Sequence, residues 1–219
     1  MDTTESDTVV VPPLSSPQDH LCFTCKQPAT KCCSRCLNAR YCSATCQEKD
    51  WKTHMLVCKS FATLEPRPGP NFFRGIFFPP NEPLARFVWI EYGSAENWTT
   101  IQPHKVTGDI MRGHFQPGVW PLERPASHTL GIYHTDRYLI DGSLPTPSIT
   151  KAIGASGIYF RGPFLAHGHE DDKMDEDDEV EEFGRPCDLD TADLSYLLGF
   201  FQVRGEKLRR GNDLHGIFP

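Results

Sequence analysis

The residues of this chain that could do chemistry are concentrated in one short segment. Nine cysteines are present, and eight of them fall within residues 22–58 together with one histidine. In a reducing compartment such clustering favours metal binding over disulfide bonds. A structural zinc ion takes four tetrahedral thiolate or imidazole ligands, so eight candidates are enough for two ions. The candidate ligands are Cys22, Cys25, Cys33, Cys36, Cys42, Cys46, His54 and Cys58.

The spacing divides these ligands into four pairs. A gap of two residues suits a tight turn that presents both sulfurs to one ion, whereas a gap of three places two residues one helical turn apart on the same face. Pairs of the first kind are Cys22 with Cys25 and Cys33 with Cys36, and pairs of the second kind are Cys42 with Cys46 and His54 with Cys58. Four pairs make two sites, but spacing alone does not say which pairs combine.

The residues around the later ligands resemble a known family. An aromatic residue, Tyr41, precedes the fifth ligand, and a Cys-Gln…Trp…His-x3-Cys pattern runs from Cys46 through Trp51 to Cys58. The segment 22–58 resembles a MYND finger. The resemblance implies a small zinc-stabilised unit with two interleaved sites and a short C-terminal helix. One zinc would be held by Cys22, Cys25, Cys42 and Cys46, and the other by Cys33, Cys36, His54 and Cys58.

The filled ligand sets predict a structural role for the metal. Four protein ligands on each zinc leave no position for a water molecule, so we expect structural rather than catalytic ions. Cys32 lies beside the ligand Cys33, but only Cys33 keeps the two-residue gap to Cys36. Cys32 is therefore predicted to be a bystander.

The resemblance also implies a class of partner. MYND fingers as a family bind short proline-rich peptides, often of the form Pro-x-Leu-x-Pro. The family's groove positions correspond here to Ser34, Gln47 and Trp51. An indole face packs well on proline rings, and Gln and Ser side chains can hydrogen-bond an extended backbone. Trp51 could instead be a core residue of a small domain, and Ser34 and Gln47 could be ordinary surface residues.

The resemblance therefore implies a protein-interaction module or adaptor, with a role in transcriptional regulation as in many MYND proteins. The finger carries six Lys and Arg residues against two acidic residues, a net charge of +4. No recognition-helix pattern or aromatic-interleaved basic stripe accompanies this charge, so we do not expect nucleic-acid binding.

Catalytic motifs are sparse in the rest of the chain. Enzymes with MYND fingers include SET-domain lysine methyltransferases, but the Asn-His dipeptide that their cofactor site needs is absent, and only 21 residues precede Cys22. No Gly-x-Ser-x-Gly, phosphate loop or dinucleotide fingerprint is present. His167-Gly-His169 could bind a metal by composition, but beside acidic residues it is predicted to be a solvated segment. We therefore predict that the chain is not an enzyme; the alternative is an enzyme in residues 71–219 with the finger as a docking arm.

The charge of the chain is unevenly distributed. The net charge is −7, yet residues 170–182 contain ten carboxylates and one lysine, and the remainder has 21 basic against 19 acidic residues. Like charges repel and prefer solvent, so this run is predicted to be an acidic loop. The chain has no apolar run long enough for a transmembrane helix and no secretory signal pattern at its start. We expect it in the cytoplasm or nucleus.

Composition and pattern predict four segments: a disordered tail at 1–20, the finger at 21–60, a proline-rich linker at 61–70 and an α+β, strand-rich region at 71–219. Strands are predicted within 71–78, 85–92, 128–134, 137–140 and 156–162, where β-branched and aromatic residues dominate. A helix is predicted because Leu194, Leu197, Leu198 and Phe201 recur at helical spacing, with Asp190 or Thr191 at its start and Gly205 at its end.

The finger is too short to fold by apolar burial alone. Zinc binding would supply the missing free energy, roughly 10–16 kcal/mol for each structural ion. We therefore predict that chelation unfolds residues 22–58 and leaves the core of the C-terminal region intact. The stretch from Phe73 to Trp89 is similar to segments that follow MYND fingers in fungal proteins, which suggests that finger and C-terminal region form one recurring architecture.

Overall fold

The computed structural model describes residues 21–93, 101–108, 113–115, 128–170 and 184–211. The predictions for the tail 1–20 and the acidic loop 170–182 lie outside the described residues, except that Glu170 ends a strand. The strands are β1 (Lys31–Cys32), β2 (Arg40–Tyr41), β3 (Phe72–Phe78), β4 (Arg86–Glu91), β5 (Gly113–Phe115), β6 (His128–His134), β7 (Phe164–Glu170) and β8 (Pro186–Cys187). The helices are α1 (Ala44–His54), α2 (Cys58–Ala62), α3 (His104–Thr107), α4 (Pro147–Ile153) and α5 (Asp193–Arg209), with a 3-10 helix at Gly154–Tyr159.

The finger is built from a small hairpin and two helices. β1 and β2 pair antiparallel, with Lys31 opposite Tyr41. Ser43 then takes an extended conformation, and its hydroxyl accepts a hydrogen bond from the Cys46 backbone N–H at 3.3 Å. This is an N-cap, the usual way to satisfy a free N–H at the start of a helix. The cap places Cys46 in the first turn of α1, while His54 is the last residue of that helix.

The larger region is an antiparallel sheet with helices packed on it. Its six strands run in the order β4-β3-β7-β6-β5, and β8 pairs with β7. Every pairing between these strands is antiparallel. The predicted α+β, strand-rich class is therefore confirmed.

The two faces of the sheet belong to different apolar clusters. Successive side chains of a strand point to opposite faces. Phe164 and Ala166 of β7 accordingly join the main core, while Leu165 joins a smaller cluster on the other face. α5 contributes four residues to the main core, namely Leu194, Leu197, Leu198 and Phe201. The predicted helical face is thus the face that packs on the sheet.

Three of the five predicted strands are confirmed as β3, β4 and β6, and two are wrong. Residues 137–140 form a turn, in which the N–H groups of Ile140 and Asp141 both donate to the Arg137 carbonyl at 2.8 and 2.9 Å. Residues 156–162 begin in the 3-10 helix. A Cβ on Gly157 would lie 2.6 Å from the Cα of Thr150, so glycine at this position allows the 3-10 helix to pack closely against α4.

The predicted end of the last helix is also wrong. α5 starts at Asp193 and continues through Gly205 to Arg209. A Cβ on Gly205 would lie 2.3 Å from the Ser156 carbonyl oxygen, so glycine here permits close approach of two backbones instead of ending the helix.

β7 was not predicted, and it corrects the interpretation of His167-Gly-His169. Both histidines are buried, at 1% and 4% exposure, because β7 is an interior strand that pairs with β6 on one side and with β3 and then β8 on the other. The segment is therefore not solvated.

The finger and the sheet share part of one core. Leu56 and Val57, which lie between the last two candidate ligands, belong to the main core. Phe61 and Leu64, at the start of the predicted linker 61–70, pack against the same core. No helix in the described parts of the chain has the length and apolar character needed to cross a membrane.

Candidate metal centres

The first cluster unites a turn, the end of the hairpin and the start of α1. The ligand atoms of Cys22, Cys25, Cys42 and Cys46 all lie within 4.8 Å of one another. Cys25 Sγ is 3.4 Å from Cys42 Sγ and 3.8 Å from Cys46 Sγ, and Cys42 and Cys46 are separated by 3.5 Å. Cys22 is fully buried, whereas Cys25 is exposed.

The second cluster unites the other turn with the two helices. The ligand atoms of Cys33, Cys36, His54 and Cys58 lie within 4.8 Å of one another, and all four residues are buried. Cys33 Sγ is 3.7 Å from Cys58 Sγ, and Cys36 Sγ is 3.7 Å from His54 Nε2. Successive pairs of ligands along the sequence thus go to alternate clusters, as the resemblance implied.

These distances fit tetrahedral zinc. With zinc–sulfur bonds of about 2.3 Å, the edge between two sulfurs of a tetrahedron is about 3.8 Å. With a zinc–nitrogen bond of about 2.0–2.1 Å, the corresponding sulfur–nitrogen edge is about 3.6 Å. The observed separations of 3.4–3.8 Å are close to these edges. The two Cys/His clusters therefore fit two zinc ions, each with four protein ligands.

The two turns that carry the paired cysteines have the same construction. The residue after the second cysteine takes a left-handed conformation in both, with φ of 62° at Lys26 and 53° at Leu37. The N–H of each of these residues donates to the carbonyl of the first cysteine, at 3.0 Å in one turn and 2.9 Å in the other. Left-handed backbone in non-glycine residues is uncommon and is expected at ligand-binding turns.

The pKa values of the crowded thiols show why a bound cation would stabilise the first cluster. Burial opposes ionisation of Cys22, yet backbone hydrogen bonds, that from Cys42 foremost, lower the pKa of its thiol to about 6. In the same cluster, hydrogen bonds with the thiols of Cys25 and Cys46 raise the pKa of Cys42 to about 12. The neighbouring thiols therefore cannot all ionise by themselves, and a bound zinc would supply the positive charge that stabilises four thiolates.

His54 is prepared to act as a neutral ligand. Burial lowers the pKa of its imidazole, which favours the neutral form that binds metals. Among the described residues, its Nδ1 has no hydrogen-bond partner. The ring instead packs against Tyr41 and Trp51, with centroid distances of 6.4 and 6.2 Å. Ring packing therefore orients this ligand, where many zinc sites use a second-shell hydrogen bond.

Tyr41 is the residue around which the finger packs. Its side chain is fully buried, and its hydroxyl donates to Asp50 Oδ2 on α1 at 2.7 Å. Burial and this carboxylate raise the pKa of Tyr41 well above its usual value, so the phenol stays protonated. The sequence identified Tyr41 as the family's aromatic position but contained no signal for its bond to Asp50.

Cys32 lies outside both clusters. It is exposed on β1, whereas its neighbour Cys33 is buried in the second cluster.

The three predicted groove residues lie on the elements that the second cluster holds together. Trp51 is on α1 and is 44% exposed, so it is not the core residue that the alternative proposed. Gln47 lies one helical turn earlier on the same face and is half-buried. Ser34 is exposed and follows the ligand Cys33 directly.

A separate group of polar side chains is buried in the sheet. His169 Nδ1 is 2.8 Å from the Gly184 carbonyl oxygen, which can only accept, so this nitrogen carries a proton. Burial lowers the pKa of His169, which favours the neutral ring, and its Nε2 accepts a hydrogen bond from His167 Nδ1 at 2.7 Å. The Tyr92 hydroxyl lies 3.3 Å from the same His167 nitrogen. Within the described ranges, the only groups of three or more possible metal ligands are the two in the finger.

Comparison with known families agrees with this geometry. A family model described as the MYND finger matches residues 22–58. Ubiquitin carboxyl-terminal hydrolase 19 of Arabidopsis thaliana is 50% identical over 48 residues, which are 22% of this chain and 7% of that protein. Zinc finger MYND domain-containing protein 10 homolog of Drosophila melanogaster is 52% identical over 40 residues, 18% of this chain and 9% of that protein.

One similar protein matches over a longer stretch. Ubiquitin C-terminal hydrolase 15 of Oryza sativa subsp. japonica is 42% identical over 161 residues, which cover 63% of this chain and 16% of that protein. The chain spans less than a fifth of the length of each of these three relatives. A search of solved structures gives no match.

Proposed function

Because residues 22–58 form a MYND finger, we propose that this chain acts by binding other proteins through that finger, and that it does so as an adaptor and not as an enzyme. We propose proline-rich peptide segments as its ligands, regulation of transcription as its setting, and the cytoplasm or nucleus as its compartment. The relatives that share the finger carry names as different as ubiquitin hydrolase and zinc finger protein. A binding module that recurs in otherwise different proteins would produce this distribution.

The exposure of Trp51 is the observation that carries the proposal. A large aromatic side chain that is 44% exposed on a small finger presents an apolar face to solvent. Proline rings pack well on such a face, and the indole N–H can donate to a peptide carbonyl. The contact between Trp51 and His54 holds the indole next to the second cluster, so its position is set before any peptide arrives.

Gln47 and Ser34 would supply polar contacts beside the indole. Proline lacks a backbone N–H, so a proline-rich segment presents mainly carbonyl acceptors. The Gln47 amide and the Ser34 hydroxyl can both donate to such acceptors. Cys33 and His54 belong to one cluster, and this brings the turn carrying Ser34 to the helix carrying Trp51.

Titration of the full chain with a fluorescently labelled Pro-x-Leu-x-Pro peptide tests the proposal, with binding followed by fluorescence anisotropy. Trp51→Ala should weaken binding by about 30-fold or more, since truncation of a hot-spot tryptophan costs about 2 kcal/mol or more. Lys49→Ala is the matched control, because Lys49 is exposed on the opposite side of α1. It should leave the Kd unchanged.

Zinc content must be measured in each variant, because Trp51 also packs against a ligand. Trp51→Phe keeps a ring beside His54 and should retain both zinc ions while still weakening peptide binding. Equal affinity of the wild type and a zinc-loaded Trp51→Ala variant would refute the groove. Failure of the wild type to bind the peptide would refute the proposed ligand class.

A further inference from the structure

The two zinc clusters differ in what surrounds their ligands. In the part of the chain that the structure describes, the hydrogen bonds of Cys22, Cys25, Cys42 and Cys46 all end on residues of the finger. The ligands of the second cluster are instead interleaved with residues that contact the C-terminal region. This asymmetry was not visible in the sequence, where both clusters consist of one turn pair and one helical pair.

The first contact lies between two ligands of the second cluster. His54 and Cys58 flank Leu56 and Val57, which are 2% and 0% exposed in the main core of the sheet. Burial this complete removes nearly all of their apolar surface from water, which stabilises the folded state. The position of the ligands and the packing of the sheet core therefore depend on the same short stretch of backbone.

The second contact follows Cys58 directly. Cys58 begins α2, and the Ser60 hydroxyl accepts a hydrogen bond from the Phe87 N–H of β4 at 3.1 Å. Phe61 packs edge-on against Phe87 at 4.9 Å and lies under the Arg74 guanidinium at 4.9 Å. β4 is the edge strand of the sheet, and α2 covers part of this edge.

The third contact follows Cys36. Asn38 Oδ1 accepts hydrogen bonds from both the backbone N–H and the hydroxyl of Thr191, with the backbone donor at 3.1 Å. Thr191 is 5% exposed and lies just before α5. The turn that carries Cys33 and Cys36 is therefore bonded to the start of the helix that covers the sheet.

We propose that zinc in the second cluster, and not in the first, controls the stability of the C-terminal region through this junction, defined by Asn38, Leu56, Val57, Ser60 and Phe61. Loss of that ion would release α2 from β4 and loosen the start of α5. Loss of the other ion would disorder the first turn of the finger and leave the sheet packed. The occupancy of one of the two metal sites would then change the stability of a region outside the finger.

The physical reason is that α2 cannot hold its shape alone. It has five residues, far fewer than an isolated helix needs in water. The metal fixes its first residue, Cys58, and metal-binding free energy in such a unit is folding free energy. Without the ion, the ordering of residues 54–62 would depend only on the apolar contacts of the junction and on the hydrogen bond between Ser60 and Phe87.

Hydrogen exchange of the full chain, read by mass spectrometry, tests this proposal. Cys36→Ser removes a ligand of the second cluster, and Cys25→Ser is the matched change in the first. Cys36→Ser should speed exchange in α2, β4 and the first turn of α5 by about tenfold or more, because these segments would open locally. Cys25→Ser should leave those segments at the wild-type rate. Zinc content should fall from two ions to one in both variants.

Cys36→His provides the rescue, since imidazole is also a zinc ligand. It should restore the second ion and the slow exchange of β4, which a general packing defect at residue 36 would not allow. Unchanged exchange of β4 and α5 in Cys36→Ser would overturn the proposal. Equal loss of protection in Cys25→Ser and Cys36→Ser, including complete unfolding of both, would overturn it as well, because the clusters would then act alike.

Discussion

The finger and the sheet region of this chain are held together by different means. Four of the six residues in the buried cluster of the finger are candidate zinc ligands, and the other two are Ala39 and Tyr41. The main core of the sheet contains eighteen buried residues, drawn from four strands, two helices and the loops between them, and none of them belongs to a metal group among the described residues. One region depends on coordination and the other on apolar burial.

The difference shows how a small unit and a large unit are each stabilised in the folded state. A segment of the finger's length cannot bury enough apolar surface, so ligand bonds replace the core. The sheet region is large enough to exclude water from aromatic and aliphatic side chains. The finger is nevertheless joined to the larger core, because Leu56 and Val57 lie in it. This changes the expected effect of chelation, which we now expect to extend beyond residues 22–58.

The largest effect that would test this difference between the finger and the sheet region is expected in the main core, where α5 packs on the sheet. Phe201 is fully buried and packs against Phe78, Phe160 and Phe164 at centroid distances of 5.5, 4.7 and 5.6 Å. Phe201→Ala should lower the free energy of unfolding by about 3–5 kcal/mol, as cavity-forming changes in cores do. Chemical denaturation measures this loss. Both zinc ions should remain bound under native conditions, and loss of an ion would show that the sheet core also holds the metal sites.

A smaller effect is expected where two backbones approach in the sheet region. In an exposed helix, Gly→Ala gains up to about 1 kcal/mol. Gly205→Ala should instead lose about 1–3 kcal/mol, because the new methyl group would meet the Ser156 carbonyl oxygen. Arg209→Ala, at an exposed position of the same helix, is the control and should be close to neutral. Stabilisation by Gly205→Ala, measured by the thermal midpoint, would show that this contact is looser than the structure has it.

The smallest effect is expected inside the finger. Tyr41→Phe removes the hydroxyl that donates to Asp50 but keeps the buried ring. A hydrogen bond to a charged group is worth about 1.5 kcal/mol or somewhat more, so zinc affinity should fall by about tenfold. Competition with a zinc-binding dye measures this change. Thr24→Val is the control, since the exposed Thr24 hydroxyl donates only to the Cys46 carbonyl at 2.9 Å and its loss should matter less.

The predictions from sequence succeeded where the determining contacts are local. The strands β3, β4 and β6 have long runs of β-branched and aromatic residues, and the apolar face of α5 repeats at helical spacing. They failed at residues 137–140 and 156–162, where short apolar stretches form a turn and a 3-10 helix. β7 was missed because a strand that is buried on both faces does not alternate, and its two histidines looked like solvent-exposed residues.

The sequence by itself determined the metal chemistry, because zinc demands particular side chains and both clusters draw them from within residues 22–58. It also determined three of the six strands of the sheet and the main helix, because their periodicity can be read from neighbouring residues. Only the tertiary structure decided that the second cluster adjoins the sheet core and that His167 and His169 are buried. It also decided that Asn38 bonds Thr191, 153 residues away. Such contacts form between segments that are distant in the chain, and they cannot be inferred from the spacing of neighbouring residues.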